Sequence, residues 1–479
     1  MLSSQPERRR SRGAAMIDRR EFLRALTAGG TVSVAGGAIT GCTNRPTGSD
    51  RDPNTVTLWG IWASDVDKEA EVIEAFTQQN PGITVSVSQV PSSSQGDASS
   101  VITAVRGRTG PDVYFMGRFS GAEMASLGLL EPLDELIREY EGVEPEEFMA
   151  NWVKFSTDEV LYDGQWYGLP LDTDTRAMYY NTDLTDEAGI DPQLLDPANG
   201  PMTLDQMWEI SDAFDIQDEQ GNYERITWIP WDGEASLLMW AMASGVTFFD
   251  NSTCSMTLDS PEMLAVATEY ASWVDRLDFP RVDAFKATYQ PPNAPPTQTS
   301  FFSERQMFQI SGPWGVQSQS DYKPDMRYGV THVPIADGSD DPFTWAGGFG
   351  LAMPKGSSRS EAAWKLMAFY AGYEGQRILM PQISRIPTSM DAVQDPEAWD
   401  PSIEFFVEIM EFARSRPPLP VGTKLWDAMM MMQDSLNQRS RTPEEAVRFA
   451  QDYVDPTMQQ FCPVRLPEGF GEPDPDFSL

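Results

Sequence analysis

Carboxylates and tryptophans are the side chains with which this chain could do chemistry. It has one histidine, His332, and three cysteines, Cys42, Cys254 and Cys462. That set cannot build a His-rich or Cys-rich metal site, and any Ser-His-Asp scheme would hang on a single residue. No G-x-S-x-G, H-E-x-x-H, G-x-x-x-x-G-K-[ST] or G-x-G-x-x-G pattern occurs. Acid pairs such as Asp172 and Asp174 could serve glycoside hydrolysis, which needs two carboxylates at a set separation. With 72 Asp and Glu in the chain, such neighbours arise by chance. Tryptophan beside turns and strand ends is more informative. Trp59 and Trp62 flank the end of the first strand, Trp231 follows Ile229-Pro230, Trp314 follows Ser311-Gly312-Pro313, and Trp345 precedes Ala346-Gly347-Gly348. A pyranose has an apolar C–H face and a rim of hydroxyls, so aromatic faces beside Asp, Glu, Asn and Arg describe a carbohydrate cleft. Each tryptophan taken alone reads more readily as core than as a ligand platform, and it is the set of five at loop positions that shifts the reading towards a cleft.

These side chains need a scaffold, and strand and helix patterns alternate along the chain. Val56-Thr57-Leu58-Trp59 reads as a strand. Val66, Ala70, Ile73 and Phe76 fall at helical spacing, Asn80-Pro81-Gly82 stops that helix, and Ile83, Val85 and Val87 alternate as a second strand. Strand, helix, strand at this length is a parallel βαβ unit. A helix over about 96–106 precedes a short buried strand at Asp112-Val113-Tyr114-Phe115, so the chain opens with an α/β lobe. Helical patterns recur at 121–140, 203–215, 234–244, 261–277, 359–371, 402–415, 424–438 and 442–460. Strand patterns lie at 166–170, 176–180, 226–230, 307–311, 327–333 and 347–353. The proline-dense stretch 290–298 reads as a surface loop. Met429 to Met432 spread around a helix, which suits core packing better than a metal site.

With 479 residues, 41% of them hydrophobic, the chain is long enough for two or three domains with proper cores. A net charge of −37 repels phosphate backbones and anionic lipid, so no nucleic acid is expected as a partner. Only seven of the 35 basic residues are Lys. Dense carboxylates with few lysines suit a halophile's surface protein, kept soluble in very high salt; an ordinary acidic secreted protein is the alternative. Ile17-Asp18-Arg19-Arg20-Glu21-Phe22-Leu23-Arg24, followed by a small-residue apolar run over 25–41, is an export signal. Arg19 and Arg20 with Phe22 and Leu23 resemble a twin-arginine signal, and Ile39-Thr40-Gly41-Cys42 resembles a lipobox whose Cys42 takes lipid. Met16 offers a second start just before it. Residues 42–54 read as a tether. Cys254 and Cys462 then remain as an even pair that could bridge, though two cysteines carry no spacing signature. No later segment reaches 18 apolar residues, so the mature protein is expected to be anchored and not to span.

The motifs fall in a recognisable order. Thr57-Leu58-Trp59 and Asn80-Pro81-Gly82-Ile83 are followed by Gly110-Pro111-Asp112-Val113 and Gly128-Leu129-Leu130-Glu131-Pro132-Leu133. Asp163-Gly164-Gln165-Trp166-Tyr167-Gly168-Leu169-Pro170 leads through Tyr179-Tyr180-Asn181 to Met202-Thr203-Leu204-Asp205. Ser311-Gly312-Pro313-Trp314, Gly347-Gly348-Phe349-Gly350 and Ile386-Pro387-Thr388 complete the series. Over residues 54–465 the chain resembles a family 1 extracellular solute-binding protein of halophilic archaeal type, the sugar-capturing lipoprotein of an ABC importer. The resemblance implies an α/β, two-lobed periplasmic-binding-protein-like fold with the ligand cleft between the lobes and a hinge of crossing segments. Residues 54–173 with 345–388 would form lobe 1, residues 174–344 with 389–465 lobe 2, and 466–479 a tail.

The same resemblance implies ligand contacts from Trp62, Ser64 and Asp65 after the first strand, and from Arg118, gripping hydroxyls. It adds Asp174 near the hinge, Trp231 and Glu234 from the second lobe, and Trp314 as the foremost sugar-stacking aromatic. Gly347 and Gly348 would let backbone approach the ligand, and Trp426 would be a further aromatic. Ser311 departs from the Asp or Asn common in the family at that turn. Asp112 reads as a brace for its loop, and few lysines near the cleft argue against a phosphorylated sugar. Neither catalysis, cofactor nor metal is expected. The expected partners are a sugar or oligosaccharide, ABC permease subunits with their ATPase, and the membrane through lipid on Cys42. That places a monomer on the outer face of the cell membrane. A secreted glycoside hydrolase and a sensor lipoprotein on the same fold are the rival readings.

Overall fold

Val56 and Leu58 alternate with half-exposed neighbours on the first strand, Thr55–Trp59, and both are fully buried. The computed structural model describes residues 54–60, 66–88, 99–291, 294–336, 341–357, 360–467, 469–470 and 477. The expected signal with Arg19 and Arg20, the lipobox with Cys42, and residues 42–53 of the tether lie outside the described residues. Thr55–Trp59 pairs in parallel with Thr84–Ser88 and with Val113–Gly117. The helix between the first two, Val66–Gln79, buries Val72 and Phe76 and stops where the Asn80 N–H and side-chain amide both bond the Phe76 carbonyl. Asp112 accepts from the Thr57 amide at 2.9 Å and its hydroxyl at 2.8 Å, bracing its loop. On the other side of Val113–Gly117 the late strand Phe349–Ala352 runs antiparallel, with Leu351 opposite Phe115, and itself pairs with Leu169–Pro170. The first lobe is thus completed by chain returning from far downstream.

The second lobe has a three-stranded antiparallel sheet, Phe308–Ser311, Ala177–Asn181 and Tyr328–Thr331, with Ala177–Asn181 in the middle. Helices Leu204–Phe214, Leu237–Ala243, Pro261–Leu277, Gly422–Asn437 and Pro443–Met458 supply much of its core, centred on Trp208, Trp228, Trp240 and Trp273. Two helix starts carry full capping boxes, Thr203 with Gln206 and Thr442 with Glu445. Met429 and Met432 are fully buried while Met430 and Met431 are partly exposed, as expected of four residues spread around one helix. Cys254 and Cys462 form a disulfide that fastens the segment after the last long helix to the Phe249–Asp250 and Ser255–Met256 hairpin. No helix among the described residues is long and apolar enough to cross a membrane.

Three stretches of chain cross between the sheets. Asp172–Thr173 pairs antiparallel with Ile386–Pro387, Asp174 bridges to Gly347, and Thr344–Ala346 pairs in parallel with Ala413–Ser415. A third apolar cluster forms at the crossing, where Val153, Phe155, Tyr179, Ala346 and Ile386 meet Trp399 and Phe406. Three local expectations need correction. The 121–140 pattern is two helices, Gly121–Ser126 and Asp134–Tyr140, interrupted where Gly128 takes a φ of +66°. The 402–415 pattern holds a short α-helix, Glu404–Glu408, between 3-10 turns at Pro401–Ile403 and Ile409–Phe412, and its end is drawn out as the Ala413–Ser415 strand. Residues 226–230 form a single bridge, Ile226 to Gln306, and no strand. Phe279–Tyr289, Trp314–Tyr322 and Tyr373–Ile383, the last with Pro381 inside it, are helices outside the expected patterns.

Candidate functional site

Where the segments cross, extended backbone puts alternate residues on one face. Asp172, Asp174 and Arg176 are therefore neighbours, and all three are buried. Asp174 accepts from the Gly347 amide at 2.8 Å and pairs with Arg176 at 2.6 Å. Arg176 reaches on to Glu234 at 3.2 Å, and its guanidinium lies 4.8 Å from the Trp314 ring centre and 4.2 Å from that of Trp345. Arg385 also lies over Trp314, at 4.8 Å, while Arg416 lies 4.4 Å over Phe119 and 5.1 Å from Trp345. Burial would raise the Asp174 carboxyl, but Arg176 and Arg385 beside it hold it below its usual range. Burial pushes Asp172 up to about 6 against the pull of Arg385 and Arg118. It raises Glu159 as well, opposed by Arg118 and Arg416.

These groups enclose a cavity of about 320 Å³, near the lower end of the roughly 300–1,000 Å³ range of small-molecule pockets. Phe119, Ser120 and Phe349 contribute from the first lobe, and Glu234, Trp314 and Trp426 from the second. Asp174, Arg176, Trp345, Gly347, Gly348, Arg385 and Arg416 contribute from the crossing segments and their margins. Larger cavities of about 480 Å³, reaching from Met242 to Phe470, and about 760 Å³, beside His332, gather none of the expected ligand residues.

Six expected site residues thus converge: Asp174, Glu234, Trp314, Gly347, Gly348 and Trp426. Trp62, Ser64 and Asp65 lie outside the described residues. Arg118 needs correction, because it sits behind the cleft with no exposed surface. Its Nε pairs with Glu159 at 2.9 Å, its Nη1 bonds the carbonyls of Asp172 and Phe349, and its Nη2 bonds that of Gly347. It knits two crossing segments together and has no group to offer a ligand hydroxyl. Trp231 also needs correction: it is 9% exposed and packs in the second lobe's core against Tyr270 and Phe279. Gly348 has a φ of +132°, and a Cβ there would collide with the Asp172 carbonyl and Arg118, so its first duty is to chain packing. Of the acid pair, Asp172 is fully buried behind the cavity, while Asp174 lines it with its carboxylate engaged by Arg176 and the Gly347 amide, so the two carboxylates do not face the cavity together. Sequence reading missed Arg176, Arg385, Arg416 and Phe119. Arg176 was within reach, since its spacing of two from Asp174 on an extended segment places both on one face.

A family described as bacterial extracellular solute-binding protein matches the chain over residues 71–405. The maltotriose-binding protein of Pyrococcus abyssi is 24% identical over 400 residues, covering 81% of this chain and 78% of the relative. The arabinooligosaccharide-binding protein of Halalkalibacterium halodurans is 21% identical over 363 residues, 69% of this chain and 74% of its own length. Among solved structures, CpMnBP1 with mannobiose bound has a TM-score of 0.71 at 20% identity, covering 84% of this chain and 99% of that one. The GacH receptor of Streptomyces glaucescens has a TM-score of 0.65 at 19% identity, covering 83% and 96%. These structural likenesses bear on the fold, which is two-lobed in the manner expected.

Proposed function

We propose, for a chain that belongs to the bacterial extracellular solute-binding protein family, that its solute is a sugar or short oligosaccharide held between the lobes. The chain is a binding protein and not an enzyme. One observation carries the sugar reading: aromatic rings and hydrogen-bonding groups from both lobes and the hinge converge on one cavity. A ligand touching both lobes favours the closed arrangement, so capture is a shift of population towards closure. Relatives whose names record maltotriose and arabinooligosaccharide binding support the same class. Trp314 has two guanidiniums over it, whereas no cation or ring contact covers Trp426 among the described residues. Half-buried Trp426 is therefore the open platform for a pyranose face.

In this reading the closed form delivers its sugar to an ABC permease driven by a cytoplasmic ATPase. The protein is exported by a twin-arginine route and held at the membrane by lipid on Cys42. Its dense acid surface serves a high-salt habitat. A thermal-shift and calorimetric screen of the purified chain in molar KCl, against mono- and oligosaccharides and polyols, tests the central claim. A midpoint raised by one sugar class without its consumption supports capture. No shift with any saccharide refutes it, and product formation would restore the hydrolase reading.

A further inference from the structure

Four arginines and four carboxylates meet at the crossing, and three of the arginines have partners. Arg118 pairs with Glu159 at 2.9 Å, and Arg176 with Asp174 at 2.6 Å and Glu234 at 3.2 Å. Arg385 lies 3.8 Å from Asp172 and 3.5 Å from Asp174. Arg416 differs. Among the described residues its side chain makes no hydrogen bond and no ion pair within 4 Å, and its Nε is a buried donor left without an acceptor. It is only 7% exposed, yet it lines the cleft. The carboxylates whose charge reaches it, those of Glu159 and Asp174, are already engaged by Arg118 and Arg176.

A guanidinium stays charged at any accessible pH, and burying one without a partner is costly. This one is also held in place. The rings of Phe119 and Trp345 lie at 4.4 and 5.1 Å, and Gly347 passes so close that a methyl group there would stand 3.1 Å from Nη2. A planar donor fork fixed by its neighbours loses little freedom when it binds. What it lacks is one acceptor of negative charge.

We propose that the sugar of this cleft carries one singly charged anionic group, a uronate carboxylate or a sulfate ester, and that Arg416 is its anchor. This rests on the cleft being the sugar site. Among the described residues Arg416 is the one arginine of the four with no ion pair within 4 Å, so it has one guanidinium to offer one anionic group, and a dianionic phosphate would bring a second charge with no unpaired arginine of the cluster to meet it. A carboxylate matches the guanidinium fork in plane and spacing.

Calorimetric titration of the purified full chain tests the assignment, with Arg416→Lys and Arg416→Met beside the unmodified protein. The probes are glucuronate, galacturonate and mannuronate, the 6-sulfates of the parent hexoses, the neutral hexoses, and digalacturonate against its dimethyl ester. One acidic probe is expected to bind about 100-fold tighter than its neutral counterpart. Arg416→Met should shrink that ratio to less than about tenfold and Arg416→Lys should keep part of it. Ligand-free Arg416→Met should unfold no earlier than the unmodified protein, because it removes a buried unpaired charge. Neutral sugars binding as tightly as acidic ones would overturn the proposal and leave the sugar reading intact. An acid preference that survives in Arg416→Met would overturn the anchor, and binding of neither kind would overturn both readings.

Discussion

At the scale of single residues, the cleft shows how burial and charge assign different duties to like side chains. Asp174 is held ionised by Arg176 and Arg385, whereas Asp172, two residues earlier, gives one oxygen to the Phe349 amide at 2.7 Å and leaves the other without a hydrogen bond. Its folded pKa of about 6 lies above the ordinary 3.8. The fold therefore favours its protonated form, and the stability this contributes is present below about pH 4 and lost as pH rises through about 6. Asp172→Asn keeps the acceptor and removes the titration. The stability of the variant minus that of the unmodified protein should grow by about 2 kcal/mol between pH 4 and pH 7, measured by urea unfolding. A flat difference would show that Asp172 is not the titrating group. The aromatic platforms give a second prediction. Trp426→Ala should weaken sugar affinity about tenfold by titration, the size of one lost aromatic face, and Trp314→Ala should weaken it less, since the guanidiniums of Arg176 and Arg385 already lie over that ring. Unchanged affinity in Trp426→Ala would remove it as the platform.

At the scale of elements, helices and strands end where local chemistry ends them, and they meet where glycine lets them. Gly189 closes the Thr182–Ala188 helix at a φ of +66° with open space around its Cα, whereas Gly348 at +132° is hemmed in by Asp172 and Arg118. Alanine at Gly189 should cost only about 1 kcal/mol, the price of the left-handed backbone. Alanine at Gly348 should cost more than about 2 kcal/mol, since strain and collision add. Urea midpoints of the two variants read the comparison directly. Equal losses would mean that the crossing segments yield easily. The periodic patterns for Val66–Gln79, Leu204–Phe214 and Pro261–Leu277 were legible because side-chain spacing and caps lie within one stretch of chain. Ala413–Ser415 was not, because its strand form depends on Thr344–Ala346 lying alongside.

At the scale of the whole molecule, chain returning from afar holds each lobe together. The first lobe takes Phe349–Ala352 into its sheet, and the second gathers Gly422–Asn437 and Pro443–Met458 into its core. The disulfide joins residues 208 positions apart, closing a loop that includes the first lobe's Phe349–Ala352 strand. Cys462→Ser should lower stability by about 2–5 kcal/mol. Neither cysteine lines the cleft, so sugar affinity should stay unchanged. Denaturant unfolding with and without reductant, beside a titration, measures both. A bridge whose loss leaves stability unmoved would mean the tail segment is held by other contacts.

Periodicity and helix stops were enough to place the strands of the first lobe and the long helices Leu204–Phe214, Pro261–Leu277, Gly422–Asn437 and Pro443–Met458 of the second, since each such signal is carried by neighbouring residues, while the two-lobed class was implied by the family resemblance that the order of short motifs carries. Which side chains face the cleft was decided only in three dimensions. Trp231 and Trp345 stand beside similar turns, yet Tyr270 and Phe279 enclose the first in a core while the second backs Arg176 at the crossing. Arg118 and Arg416 are both buried arginines, and only their distant neighbours separate them. Carbonyls of Asp172, Gly347 and Phe349 saturate the one, and the other is left without an acceptor. Contacts between residues 54 to 231 positions apart make that distinction, and no local pattern of residue types records them.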